Sequence, residues 1–286
     1  MKNQKNLLRL LNIVVVLYII ANVIIGLEGT NAAVVMPFLI IPLGLFVFTH
    51  GTIRYGIKNI LILIGIGMAV SLFYEAMSIA TGFPYSGFHY TEIFGPKLFG
   101  FPLIVMVGYG VSIYTFWTVT GSLIGNYNNK LRGANIVLVP ILAAFLFTSW
   151  DYALDPIMAS INGAYIWDNH GSYFGIPFSN YLGWYLCTYS IYQFFALVVY
   201  RKTKLDVPTI MKRKTFWYQA IAMYVSIFIQ LPILMKFEGN EQLTIFSGQV
   251  LQTNDIYQSM TLVGIAAIIF PAFIAFVNVF NTKELE

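Results

Sequence analysis

The sequence predicts an all-α polytopic membrane protein, a bundle of about eight transmembrane helices with aromatic, glycine-rich re-entrant or lid-like loops on its outer face. Three observations carry that prediction. Hydrophobic residues make up 58% of the 286 and charged residues only 10%, whereas soluble domains carry about 25% charge. The mean hydropathy is +0.73. The apolar residues also gather into runs near the roughly 20 residues that cross the hydrocarbon core of a bilayer.

The runs cover 7–27, 33–48, 57–80, 101–123, 135–154, 178–200, 216–235 and 257–280. The first follows Lys2 and Lys5, includes Arg9 and has the look of a signal peptide. Its length and the lack of a small-residue cleavage site fit an uncleaved anchor better. The second is short and contains Pro37 and Pro42, each of which removes a backbone donor and kinks or breaks a helix. The remaining six are long enough to span without special pleading.

An even number of spans puts both termini on one side, and the basic residues say which. Lys2, Lys5, Arg9, Arg54, Lys58, Lys130, Arg132, the group Arg201, Lys202, Lys204, Lys212, Arg213 and Lys214, and finally Lys283 fall on one face, with only Lys97 and Lys236 opposite. Cytoplasmic loops are the ones enriched in Lys and Arg, so the expectation is a multi-pass protein of the cell membrane with both termini cytoplasmic. The net charge of +4 is therefore an orientation signal, and no nucleic-acid partner is expected. The lipid bilayer is the expected surrounding for all of residues 1–286, read as one integral membrane domain. Cys187, the only cysteine, lies in an apolar run, which excludes a disulfide framework and a metal-thiolate spacing and suits a small packing residue.

The acids favour the opposite face, where Glu28, Glu92, Asp151, Asp155, Asp168, Glu238, Glu241 and Asp255 collect. The two longest outer connections, 81–100 and 156–177, are rich in Gly, Pro, Tyr and Phe, and each holds a histidine. Irregular backbone at membrane depth persists only when buried in protein or lining a cavity, so both read as re-entrant or lid-like loops. Aromatic loops resting at the bilayer interface are the plainer alternative. Gly65, Gly67, Gly108, Gly110, Gly121 and Gly125 have the character of helix-packing positions.

Chemistry concentrates between Trp150 and Trp184. Asp151 and Asp155 stand four apart at the end of an apolar run, which on a helix sets their β-carbons about 5–6 Å apart. Glu75 lies near the outer end of the third run. An Asp at mid-span costs about 2.5–3.5 kcal/mol, so intramembrane acids usually mark a functional site or a buried pair. Like charges this close in an apolar site disfavour double ionisation, and a carboxyl that keeps its proton is able to donate it. Asp151, Asp155 and Glu75 are therefore the candidate catalytic residues, with a structural pair as the alternative. Tyr74, Trp150, Trp167, Tyr173 and Trp184 are candidates for an aromatic wall, each ring being worth about 0.5–2 kcal/mol to a cation, or for interface anchors. Tyr85, His89, Tyr90 and Asn180 complete the candidate substrate-binding and water-holding set.

Three strings in order, TGFPYSGFHYTEIFGPKLFGFPLIV, WDYALDP and YIWDNHGSYFGIPFSNYLGW, resemble the membrane family of carotenoid hydratases, which includes γ-carotene 1',2'-hydratases and bisanhydrobacterioruberin hydratases. The most specific elements are G-x-Y-F-G-I-P-x-x-N-x-x-G-W at 171–184 and the Asp-Pro after a tryptophan-bearing helix. The resemblance implies a cofactor-independent enzyme that adds water to the terminal double bond of an acyclic carotenoid end, giving a tertiary alcohol. Its partners are then an acyclic carotenoid, water and other membrane enzymes of the carotenoid pathway. Such chemistry needs a proton donor, a wall that tolerates a tertiary cation, and controlled water, which the acids and aromatics named above are able to supply.

Other classes stay open on the residues alone. A membrane prenyltransferase needs two Asp-rich clusters, and the chain has one pair. A metal hydrolase needs a histidine spacing such as H-E-x-x-H, whereas His50, His89 and His170 are scattered, with His50 toward the cytoplasmic end of its run. A carotenoid cyclase or isomerase uses the same acid and cation and differs in what quenches it. A lipid- or carotenoid-binding scaffold or transporter fits the hydropathy as well.

Overall fold

A computed structural model describes residues 2–28, 32–201, 207–245 and 248–286. Eight helices among these are long and apolar enough to cross a membrane: α1 (Gln4–Glu28), α2 (Pro37–Tyr55), α3 (Ile57–Thr81), α4 (Leu103–Leu123), α5 (Asn135–Ile161), α6 (Phe178–Arg201), α7 (Lys214–Phe237) and α8 (Thr253–Asn281). Lys202 and Lys204, and the side chain of Lys2, lie outside what is described.

Two helices run further than their hydropathy indicates. The second continues through a wide turn at Val47–Gly51 to Tyr55. The fifth, expected to stop at 154, passes Pro156 and ends in a wide turn, Pro156–Ile161. Proline removes one backbone donor, and a local change to wider hydrogen bonding lets a helix continue past the defect. As a result Asp155 lies within α5 and not at its tip.

α4 is the most buried helix. Its side chains from Tyr109 to Ser122 are buried without interruption, so it serves as the axis on which the others pack. Against it α3 approaches closely, Gly67 meeting Gly110 where an added Cβ would lie 3.3 Å from the opposing Cα. His50, expected toward the edge, is fully buried beside the same helix. Its ring is stacked between Phe46 and Phe216, with Nδ1 2.6 Å from the Tyr114 hydroxyl and Nε2 2.8 Å from the Phe216 carbonyl. This staples α2, α4 and α7. Replacing His50 by Leu strips partners from two buried polar groups, and we expect a loss of about 1–3 kcal/mol, measurable as an earlier thermal unfolding transition in detergent.

The basic connections meet at one end of the bundle. There the Arg54 Nε donates to Asn129 Oδ1 at 2.7 Å, Asn129 Nδ2 donates to the Arg54 carbonyl at 2.8 Å, and Glu286 accepts from the Lys214 backbone at 2.9 Å. The other end carries the two aromatic connections. They are joined to one another: β1 (Phe88–Tyr90) pairs antiparallel with β2 (Tyr165–Trp167) in the register Phe88↔Trp167, His89↔Ile166 and Tyr90↔Tyr165. The loops thus form a short lid-like ribbon across the helix ends. In a strand alternate residues face opposite sides, and here Phe88, Tyr90, Tyr165 and Trp167 form part of a cavity wall while His89 is exposed.

Candidate active site

Beneath the ribbon lies a cavity of about 260 Å³. Its wall is mostly hydrocarbon and aromatic, with Leu39, Leu43, Ile104, Val105 and Phe147 among the lining residues. Three carboxyls, Glu75, Asp151 and Asp155, join that wall from α3 and α5.

Asp155 is 4% exposed and its two oxygens are both engaged. Asn180 Nδ2 donates to Oδ2 at 2.6 Å, and the Tyr165 hydroxyl donates to Oδ1. Asn180 reaches it from the first turn of α6, where its own backbone donates to the Pro177 carbonyl at 3.1 Å. Tyr165 reaches it from the ribbon. Glu75, 2% exposed, accepts from the Tyr109 hydroxyl at 3.0 Å and from the Tyr90 hydroxyl at 3.2 Å. Asp151, one turn before Asp155, differs: its Oδ2 is buried with no hydrogen-bond partner.

The Tyr90 phenol is held well above the ordinary tyrosine range, first by burial and then by the neighbouring carboxyl groups, Glu75 foremost. It therefore stays protonated and keeps donating. Burial, and after it the carboxyl groups of Asp155 and Asp151, likewise push Tyr173 up to about 12.

Rings make up much of the remaining wall. Trp184 stacks on Tyr109 at 5.0 Å and on Phe147 at 5.5 Å, Trp167 lies 4.9 Å from Phe88, and Trp150 meets Phe116 edge-on at 5.0 Å.

Of the residues singled out from the sequence, Tyr85, Tyr90, Trp150, Trp167, Asn180 and Trp184 line the cavity with the three acids. Three others do not. The Tyr74 hydroxyl pairs with Ser190 Oγ at 3.2 Å, His89 is exposed on the outer side of the ribbon, and the Tyr173 hydroxyl donates to the Tyr152 carbonyl at 2.9 Å. Alternation along the strand accounts for His89, because its neighbours Phe88 and Tyr90 take the inner side. Sequence reasoning missed Tyr109 and Tyr165, which hold the carboxyls. Tyr165 opens the YIWDNHG string and was legible there; Tyr109 sits in an unbroken apolar run that gives it no distinguishing signal.

Fold and site together define a polytopic membrane protein with an apolar cavity beneath an aromatic ribbon, its wall including three carboxyl residues. A family model described as carotenoid biosynthesis protein matches residues 33–253, a stretch that includes every residue of the site described above. The chain belongs to the carotenoid biosynthesis protein family, and its place is in that pathway. No curated protein and no solved structure matches the chain.

Proposed function

We propose that the protein is a hydratase that adds water to the terminal double bond of an acyclic carotenoid end group, giving a tertiary alcohol without a cofactor. The observation that carries this reading is the convergence of Glu75, Asp151 and Asp155 on an apolar, aromatic-walled cavity. In such surroundings an alkene is bound by burial alone, and a carboxyl is the only strong acid available to it.

The hydrogen bonds suggest a division of roles. Asp155 accepts from two donors, an arrangement that suits the anion. Asp151 keeps an oxygen without any donor, which suits the neutral acid. On this reading Asp151 transfers its proton to the less substituted alkene carbon, and the π electrons form that C–H bond, leaving a tertiary cation. A water oxygen then donates a lone pair to the cationic carbon. The resulting oxonium releases a proton to Asp155, and once a proton has passed from Asp155 back to Asp151, one helical turn away, the net change is alkene plus water to alcohol. Trp150, Trp167, Trp184 and Tyr85, which line the cavity, stabilise the cation. Glu75, held by two phenols, stands on the same wall.

Cavity size bears on substrate scope. A cavity of about 150 Å³ holds one benzene, six carbons, so 260 Å³ has room for on the order of ten carbons. The enzyme therefore takes one end group at a time, with the rest of the polyene outside the chamber among the apolar helices. The basic end of the bundle faces the cytoplasm and the ribbon faces outward, a reading supported by the distribution of Lys and Arg.

The test is expression in cells that accumulate an acyclic carotenoid, followed by mass spectrometry of the pigments. A gain in mass of one water per reacted end is the expected result. An unchanged mass with altered absorbance would replace hydration by cyclisation or isomerisation, and unaltered pigment would leave a binding role.

A further inference from the structure

The mechanism above leaves a buried amide on the cavity unused. Gln230, on α7, is 7% exposed and lines the chamber on the wall made by α1 and α7, which carries none of the carboxyls. Like Glu75 and Asp155 it sits just under two helical turns from the ribbon end of its helix, so all three lie at a similar depth.

Its amide orientation follows from its partners. The Tyr18 backbone carbonyl only accepts, so Asn22 must offer it Nδ2, which donates at 2.7 Å. Asn22 Oδ1 is thereby turned to Gln230, whose Nε2 donates to it at 2.6 Å. With Nε2 committed to Asn22, the Gln230 carbonyl oxygen is left to meet what fills the cavity that this residue lines. A buried amide relay that leaves one acceptor on the cavity side is costly unless something meets that acceptor. A carotenoid end group has no hydrogen-bond donor, whereas water has two.

We propose that Gln230 is a further catalytic residue: its carbonyl accepts a hydrogen bond from the attacking water and aims the water's lone pair at the cation formed by the acids. This rests on the hydratase reading. A neutral carbonyl suits the task, since it orients water without consuming the proton on Asp151 and favours the neighbouring positive charge. Asn22 is a positioning residue that acts through Gln230.

The consequence is a partition. Without Gln230 protonation still proceeds, but the cation loses a proton back to a carboxylate before water captures it. The experiment is turnover of an acyclic carotenoid in D2O by the full-length protein in lipid nanodiscs, comparing wild type, Gln230→Leu and the closer isostere Gln230→Met. Polyene binding is followed by quenching of the cavity tryptophans to establish that each variant is folded. Both variants are expected to form alcohol about tenfold more slowly or worse and to return alkene that has gained deuterium, with binding retained. A folded variant with the wild-type ratio of alcohol to deuterated alkene overturns the role of Gln230 and leaves the hydratase standing. Wild type that forms no alcohol from any acyclic end group overturns the hydratase reading itself, and the role of Gln230 with it.

Discussion

Asp151→Asn should abolish alcohol formation, lowering turnover by roughly 10²- to 10⁴-fold, the range expected when a general acid is removed, while polyene binding persists. Asparagine has the size of a protonated carboxyl and is neutral like it. The change therefore removes the transferable proton without adding a charge or a void, and the fold is expected to survive. The same substitution at Asp155 is less clean. Both Asp155 oxygens accept hydrogen bonds, from Asn180 and Tyr165, and an amide turns one of those acceptors into a donor, at a cost of about 1–3 kcal/mol for the unmatched pair. Asp155→Asn is thus expected to lower both activity and thermal stability, Asp151→Asn activity alone. Pigment analysis beside thermal unfolding in detergent separates the two. An Asp151→Asn protein that hydrates at the wild-type rate would remove Asp151 as proton donor and move the search to Glu75.

The second large effect is predicted at Gly171, in the lid. Its backbone N–H donates to the Gly175 carbonyl at 3.0 Å, and the turn it closes brings the chain back on itself. A Cβ at this position would lie 1.8 Å from the Ile176 carbonyl oxygen and 2.5 Å from the Pro177 Cα. Backbone cannot yield there as a side-chain tip can, so Gly171→Ala should cost about 3 kcal/mol or more, the upper end of overpacking penalties. The loop would open, Phe174 would lose the hydrogen bond from Ser160 Oγ to its carbonyl, and water would enter the chamber freely. Limited proteolysis of the 156–177 connection should accelerate and alcohol formation should fall. Gly87→Ala is the control. A Cβ there meets the end of the exposed Asp168 side chain at 2.1 Å, which is free to swing away, so little change is expected. Equal protection of Gly171→Ala and wild type from protease would show that the turn accommodates a side chain after all.

Much of the fold was legible in the residues because insertion into a bilayer is governed by composition over about 20 residues, which needs no tertiary information. Runs of Leu, Ile, Val and Phe between clusters of Lys and Arg sufficed to count eight spans. The ends of α2 and α5 were not legible, because whether a helix stops or widens at a defect depends on what packs beside it; His50 and Asp155 are buried for that reason. The candidate acids were legible from their rarity, since an Asp among hydrocarbon stands out. Their supports were not. Tyr109 and Gln230 look in sequence like any amphipathic residue in an apolar helix, and their meaning arises from neighbours 34 and 208 positions away.

The chain by itself determined that this is a membrane bundle, with acids and aromatics concentrated between Trp150 and Trp184. Tertiary structure alone decided that the two aromatic connections pair as a ribbon, that His89 faces outward while Tyr90 and Tyr165 face in, and that Asp155 is held by two donors where Asp151 has a bare oxygen. The division has one cause. Burial in lipid is a sum over local residues, whereas the pairing of polar groups inside the bundle depends on which helices meet.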